Sequence, residues 1–260
     1  MRIGVVAFTN AVPLAYGLEE FLPDAELVRL TPSLISDALE ADSLDLGLVP
    51  VAALAAHPEW NVLPGLGIAS EGPVHSVLLL SKVPPEHISR LVLDPASRTS
   101  NLLARLWLAH RTGKTPQVSP GPAGLADRLE LGDATVAIGD EALFWRGGDI
   151  HSIDLGGAWT EWTGLPFVFA VWAGPRARPE LNDAFEDCYQ KNMQRIDHLA
   201  TLRAGGDSGR AELLASYWTE SIRYRLGERE NQGLMRYLTL GAKAGFIDLV
   251  RKGRLHVQSA

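Results

Sequence analysis

Short apolar runs alternate with stretches of helical periodicity from the first residues of this 260-residue chain. Ile3 to Phe8 is a continuous apolar run, the pattern of a strand covered on both faces. Pro13 to Leu22 places Leu14, Leu18, Phe21 and Leu22 on one helical face. Leu27 to Leu30 reads as a second strand. Thr31-Pro32 is a helix start, with Thr as N-cap and Pro in the first helical position. Leu34, Ile35, Ala38 and Leu39 then mark its buried face. Leu46 to Val49 is a third strand, closed by Pro50. The first fifty residues therefore read β-α-β-α-β, which predicts an open parallel sheet with helices on its faces.

The pattern repeats further along. Val74 to Ser81 is a strand, and Pro84-Pro85 punctuates sharply after it, so the chain is expected to cross to a second lobe there. Leu91 to Asp94 is the next strand. Ser97 to Ser100 open a helix carrying Leu102, Leu103, Leu106 and Trp107, and Gly113 ends it. A short helix at Leu125 to Leu131, a strand at Thr135 to Ile138 and a short strand at Ile153 to Leu155 follow. Phe167 to Trp172 is a strong β run, ended by Gly174-Pro175, and reads as the return crossing. From Pro179 onward the chain is helical, with Leu181, Phe185, Cys188, Asn192 and Ile196 on one face, Gly227 as the stop of a second helix, and Tyr237 in a last one. This predicts an α/β protein of two lobes, residues 1–83 with 174–260 and residues 84–173. That is the type II periplasmic-binding-protein-like architecture, with a ligand cleft between the lobes at the carboxyl ends of the strands.

Charge and cysteine content exclude several functions. The net charge is -7 and no Lys/Arg run exceeds a dipeptide, so the clustered basic face that nucleic acid requires is missing. The acidic balance also disfavours anionic membranes, and no stretch of 18 apolar residues predicts a membrane span. The first residues read as a strand of the fold and not as a signal peptide, which leads us to expect a cytoplasmic protein. One cysteine, Cys188, allows neither an internal disulfide nor a cysteine metal site, and it is expected to be buried. Seven scattered histidines show no HxH or HExxH spacing, so no metal centre is expected. No dinucleotide, P-loop or GxSxG motif occurs.

Polar residues at strand ends are the candidates for chemistry. Asn10 follows the first strand, where its amide can bond a ligand hydroxyl or carboxylate, or cap the next helix. Ser97, Arg98, Thr99 and Ser100 start a helix whose free N–H groups and positive dipole end suit a carboxylate; a plain capping cluster reads the same way. Arg98 can add a cation or pair with a carboxylate on the lobe surface. Ser76 faces either the cleft or the sheet surface. Asp140, after Gly139, is a candidate base or hydroxyl contact, or a helix N-cap. Trp159, Trp162, Phe167, Phe169 and Trp172 can wall a ring pocket or fill a core.

Six segments, in this order and spacing, resemble the chorismate dehydratases of the futalosine route to menaquinone. They are Asn10-Ala11-Val12-Pro13-Leu14, Leu46 to Pro50, Ile68 to Val77, Ser97 to Ser100, Ile138-Gly139-Asp140 and Trp159 to Phe169. The chain departs from that family's usual pattern at Phe8-Thr9, where Tyr-Leu is usual, and at Val51, where Ser is usual. The resemblance implies a lyase without cofactor that converts the dicarboxylate chorismate to 3-[(1-carboxyvinyl)oxy]benzoate. It implies that Ser97, Thr99, Ser100 and the helix start hold one carboxylate, with Ser76 and Gly139 beside them and Arg98 near. It implies that Asn10 assists loss of the C4 hydroxyl, and that Asp140 or the substrate's own enolpyruvyl carboxylate takes the proton. Two other activities stay open: synthesis of 1,4-dihydroxy-6-naphthoate on the same scaffold, and non-catalytic binding of a small anion. A homodimer stays open too.

Overall fold

A computed structural model describes residues 1–247. The chain begins with β1 (Arg2–Val6), α1 (Val12–Ala15), β2 (Glu26–Leu30), α2 (Pro32–Glu40), β3 (Leu46–Pro50) and β4 (Asn61–Ser70). It continues with β5 (Val77–Ser81), β6 (Arg90–Leu93), α3 (Thr99–Thr112), β7 (Gln117–Pro120), α4 (Leu125–Leu131), β8 (Ala134–Ile138), α5 (Gly139–Leu143), β9 (His151–Asp154) and α6 (Leu155–Thr163). Then come β10 (Phe167–Gly174), α7 (Asn182–Gln194), α8 (Ile196–Ala204), α9 (Ser208–Ser216), a π turn (Tyr217–Ser221), β11 (Arg223–Arg225) and α10 (Glu228–Lys243).

The strands form two sheets, one per lobe. The first has the order β11-β4-β10-β3-β1-β2 and the second β7-β6-β8-β5-β9. As the opening β-α-β-α-β pattern requires, β1 runs parallel to both β2 and β3. β10 joins that sheet antiparallel, between β3 and β4. In the second sheet β6 is parallel to β7 and β8, and β5 is antiparallel to β8 and β9.

The lobe boundaries lie elsewhere than expected. β5 belongs to the second sheet, between β8 and β9, so the outward crossing occupies residues 71–76 and not Pro84-Pro85. The proline pair merely ends β5. Phe167–Gly174 is the strand its apolar run predicts, but it lies fully buried within the first sheet and is not itself the return crossing, which occupies residues 164–166. Pairing partners decide membership, and those partners are distant in sequence. The helix expected over Pro13–Leu22 stops at Ala15, because Gly17 adopts φ 71°, a left-handed conformation that glycine takes without steric cost. Gly227 does not stop a helix but caps the start of α10.

Apolar burial follows the predicted faces with one inversion. On α2, Ile35 and Leu39 are buried while Leu34 is half exposed, and Ser33 and Ser36 take buried positions instead. Cys188 is fully buried on α7, and desolvation pushes its thiol up to about 12. Trp159 packs edge-on against Phe167 and Tyr237, all three inaccessible, so the aromatic cluster is mainly core; of it, only Phe169 reaches the cleft.

Candidate active site

The cleft closes on a small cavity where the carboxyl end of β1 meets the start of α3. Of the expected residues, Asn10, Ser76, Ser97, Thr99, Ser100 and Gly139 line it together, brought in by both lobes. Phe8, Pro50 and Phe169 supply apolar walls. No side chain among the lining residues is ionisable. The cavity encloses about 50 Å³, whereas ligand pockets ordinarily enclose roughly 300–1,000 Å³. The lobes are therefore described in a closed arrangement, and a ring-sized ligand enters only when they part.

Asn10 sits on a single turn of 3₁₀ helix, Thr9–Ala11, directly after β1. Its side chain caps neither that turn nor α1. Its Oδ1 is buried without a hydrogen-bond partner. A buried amide oxygen left unpaired costs free energy, so a partner that arrives with a ligand recovers it. The backbone of Asn10 is held separately: Tyr224 Oη donates to its carbonyl at 3.0 Å.

Helix α3 presents its N-terminal end to the cavity, where a 14-residue helix concentrates positive potential and unpaired N–H groups. Ser97 Oγ accepts from Ser100 N at 3.1 Å, so both the capping and the cavity-lining readings of this cluster hold at once. Thr99 Oγ1 accepts from Ala52 N at 3.2 Å, which ties the helix start to the first lobe. Behind the cluster, Asn101 Nδ2 donates to Asp94 O at 2.8 Å, and Arg128, fully buried, reaches Asp94 Oδ2 at 3.4 Å and Glu141 Oε2 at 3.0 Å. Burial raises the Asp94 carboxyl, against the opposing pull of the Ala96 amide and Arg128. One guanidinium thus fixes the loop before α3 relative to α5.

Gly139 contributes backbone. Its φ is +62°, and a Cβ there would lie 2.6 Å from the Phe8 ring, so only glycine fits against that wall. Its N–H donates to Ser76 O at 2.9 Å.

Two expected site residues do not face the cavity. Asp140 accepts from Thr9 N at 2.8 Å, from Thr9 Oγ1 at 3.1 Å and from Arg203 Nη2 at 3.1 Å. It is neither a base at the site nor a helix N-cap; it clasps the second lobe to the first. Arg98 donates through Nη1 to Glu40 Oε1 at 2.9 Å and through Nη2 to Asp37, both on α2. It forms a second clasp between the lobes, and its guanidinium is committed there and not to the cavity. His57 Nε2 lies 3.1 Å from the same Glu40 carboxylate. The chain's departures from the usual family pattern fall unequally: Phe8 walls the cavity, while Val51 is buried outside its lining.

Sequence reasoning missed the residues that support the site from behind. Tyr217, Tyr224 and Tyr237 are buried, and their hydroxyls donate to Ser76 Oγ, Asn10 O and Thr99 O at 2.7, 3.0 and 3.0 Å. Tyrosine in a C-terminal helical region carries no motif, and only the three-dimensional contacts reveal the role.

A family model described as menaquinone biosynthesis matches residues 1–243. A chorismate dehydratase of Thermus thermophilus is 28% identical over 253 residues, covering 89% of this chain and 92% of that protein. Among solved structures, protein AF1704 from Archaeoglobus fulgidus superposes with a TM-score of 0.72 at 17% identity, covering 95% of this chain and 98% of its own. The periplasmic aliphatic sulphonate binding protein SsuA from Escherichia coli superposes with a TM-score of 0.61 at 19% identity, covering 95% and 93%. These likenesses establish the periplasmic-binding-protein fold.

Proposed function

We propose that this chain, which belongs to the menaquinone biosynthesis family, is a cytoplasmic lyase that dehydrates chorismate to 3-[(1-carboxyvinyl)oxy]benzoate without a cofactor. The observation that carries the reading is a closed cavity with hydroxyls and a helix N-terminus on one wall, an unpaired amide oxygen on another, and no ionisable side chain in its lining. The likeness to a dehydratase acting on the same substrate supports it.

The chemistry fits such a wall. The ring C3–H of chorismate is vinylogous to the ring carboxylate, so loss of that proton spreads negative charge into the carboxylate as a dienolate. Expulsion of hydroxide from C4 then forms the aromatic ring, and the proton and hydroxide leave as water. Ser97, Ser100 and the α3 N-terminus hold the ring carboxylate and stabilise the charge that grows on it. Asn10 contacts the C4 hydroxyl and assists its departure. With Asp140 committed to Thr9 and Arg203, the substrate's enolpyruvyl carboxylate serves as the base. Phe8, Pro50 and Phe169 exclude water, which strengthens every polar contact inside.

Incubating the purified protein with chorismate, and following the product by ultraviolet absorbance and mass, tests the proposal. Chorismate recovered unchanged would reject it.

A further inference from the structure

A serine hydroxyl has one hydrogen, so whatever donates to its oxygen decides where that hydrogen goes. Ser76 ends the outward crossing, immediately before β5, and lines the cavity. Its Oγ lies 2.7 Å from Tyr217 Oη, and both residues are buried. Burial drives the Tyr217 hydroxyl strongly upward, so it stays protonated across the working range. Of the two groups the phenol is the stronger acid, hence the better donor, and its lone pair is delocalised into the ring, which makes it the poorer acceptor. Tyr217 therefore gives its hydrogen to Ser76. Among the described residues, Ser76 Oγ has no other hydrogen-bond partner, which leaves its own hydrogen for the cavity.

We propose that Tyr217 is a positioning residue that holds Ser76 as a hydrogen-bond donor toward a carboxylate in the cavity. The chain is a relay: phenol to serine, serine to carboxylate, each bond polarising the next. It rests on the reading of the cavity as a carboxylate site. The local backbone supports it. Tyr217 is the first residue of the π turn, and such turns, rare in proteins, are frequent at functional sites. The same segment also holds the turn that carries Asn10, for Trp218 Nε1 donates to Thr9 O at 3.0 Å. Tyr224 and Tyr237 differ in kind, since they donate to backbone carbonyls and set main-chain position alone.

The test is a double-mutant cycle on chorismate binding and turnover, using Tyr217→Phe, Ser76→Ala and the pair, with Tyr224→Phe as comparison. Tyr217→Phe keeps the ring and should weaken chorismate binding about tenfold, the scale of one weakened bond to a charged group. In the Ser76→Ala background the same change should cost little. Tyr224→Phe should show equal effects in both backgrounds. The proposal is overturned if Tyr217→Phe binds like the parent, or costs the same factor with and without Ser76. Should Tyr217→Phe fail to fold, 3-fluorotyrosine placed at position 217 decides instead: a stronger donor, it should tighten binding, and weaker binding overturns the relay. If the parent binds chorismate but does not turn it over, the dehydratase reading falls while the binding cycle still judges Tyr217. A parent that neither binds nor converts chorismate overturns both.

Discussion

At Asn10, the amide oxygen is buried and bonded to nothing, and the side chain supports no helix end. Its removal therefore costs the fold no hydrogen bond. Asn10→Ala is expected to keep its thermal midpoint within about 2 °C of the parent, while kcat for chorismate dehydration falls roughly 10²–10³-fold, the loss typical of one preorganised polar group at a reacting centre. Parent-like turnover would end its catalytic role. Arg98 illustrates the opposite outcome. Its guanidinium is engaged by Asp37 and Glu40 and about a third exposed, so it has no charge to offer a ligand. Arg98→Ala should change stability by less than about 1 kcal/mol and leave kcat within a small factor, read by thermal melting and steady-state kinetics. A thousandfold loss would return Arg98 to the site. From sequence, Asn10 and Arg98 looked alike: polar residues near strand ends with a capping alternative. The difference lies in what the opposite lobe presents to each.

Among elements, the clasp between α2 and the start of α3 has a pH signature. Partial burial alone would raise the Glu40 carboxyl, but the hydrogen bond and charge of Arg98, with His57 beside it, outweigh this and hold it below its ordinary 4.5. A carboxyl that ionises more readily when paired stabilises the pairing above its unpaired value and loses that contribution as pH falls through the lower, paired value. The clasp should thus hold the lobes in full at neutral pH, where it does not vary with pH, and loosen only below 4.5, an increase in radius of gyration by solution scattering being the check. Loosening that begins at neutral pH would exclude Glu40 as the cause. The elements legible from sequence were those with a clean period and sharp punctuation, such as β1, β3, β8 and α3. β4 was missed because Pro64, Gly65 and Gly67 interrupt its pattern, and its pairing with β10 is irregular to match. β11 is three residues long and follows a π turn, neither of which announces itself in composition.

For the whole molecule, a 50 Å³ cavity means that binding and release require the lobes to separate. Ser33 N donates to Ala96 O at 3.3 Å across the cleft, which marks a place to lock it. In a Ser33→Cys, Ala96→Cys protein, oxidation should abolish turnover and reduction restore it; Cys188, buried with its thiol at about 12, stays out of the exchange. Full activity of the oxidised form would show that opening is unnecessary. By itself the sequence determined the α/β class, the parallel opening of the first sheet, the glycine at position 139 and the set of strand-end residues from which the site is drawn. These follow from short-range rules: side-chain period, turn chemistry, and the ordered motifs. Tertiary structure alone decided where the chain crosses between sheets, which candidates face the cavity and which clasp the lobes. Thr9 meets Asp140 across 131 residues, Arg98 meets Asp37 across 61 and Tyr217 meets Ser76 across 141. A polar side chain takes the partner that folding brings to it, and no local pattern encodes a partner so far along the chain.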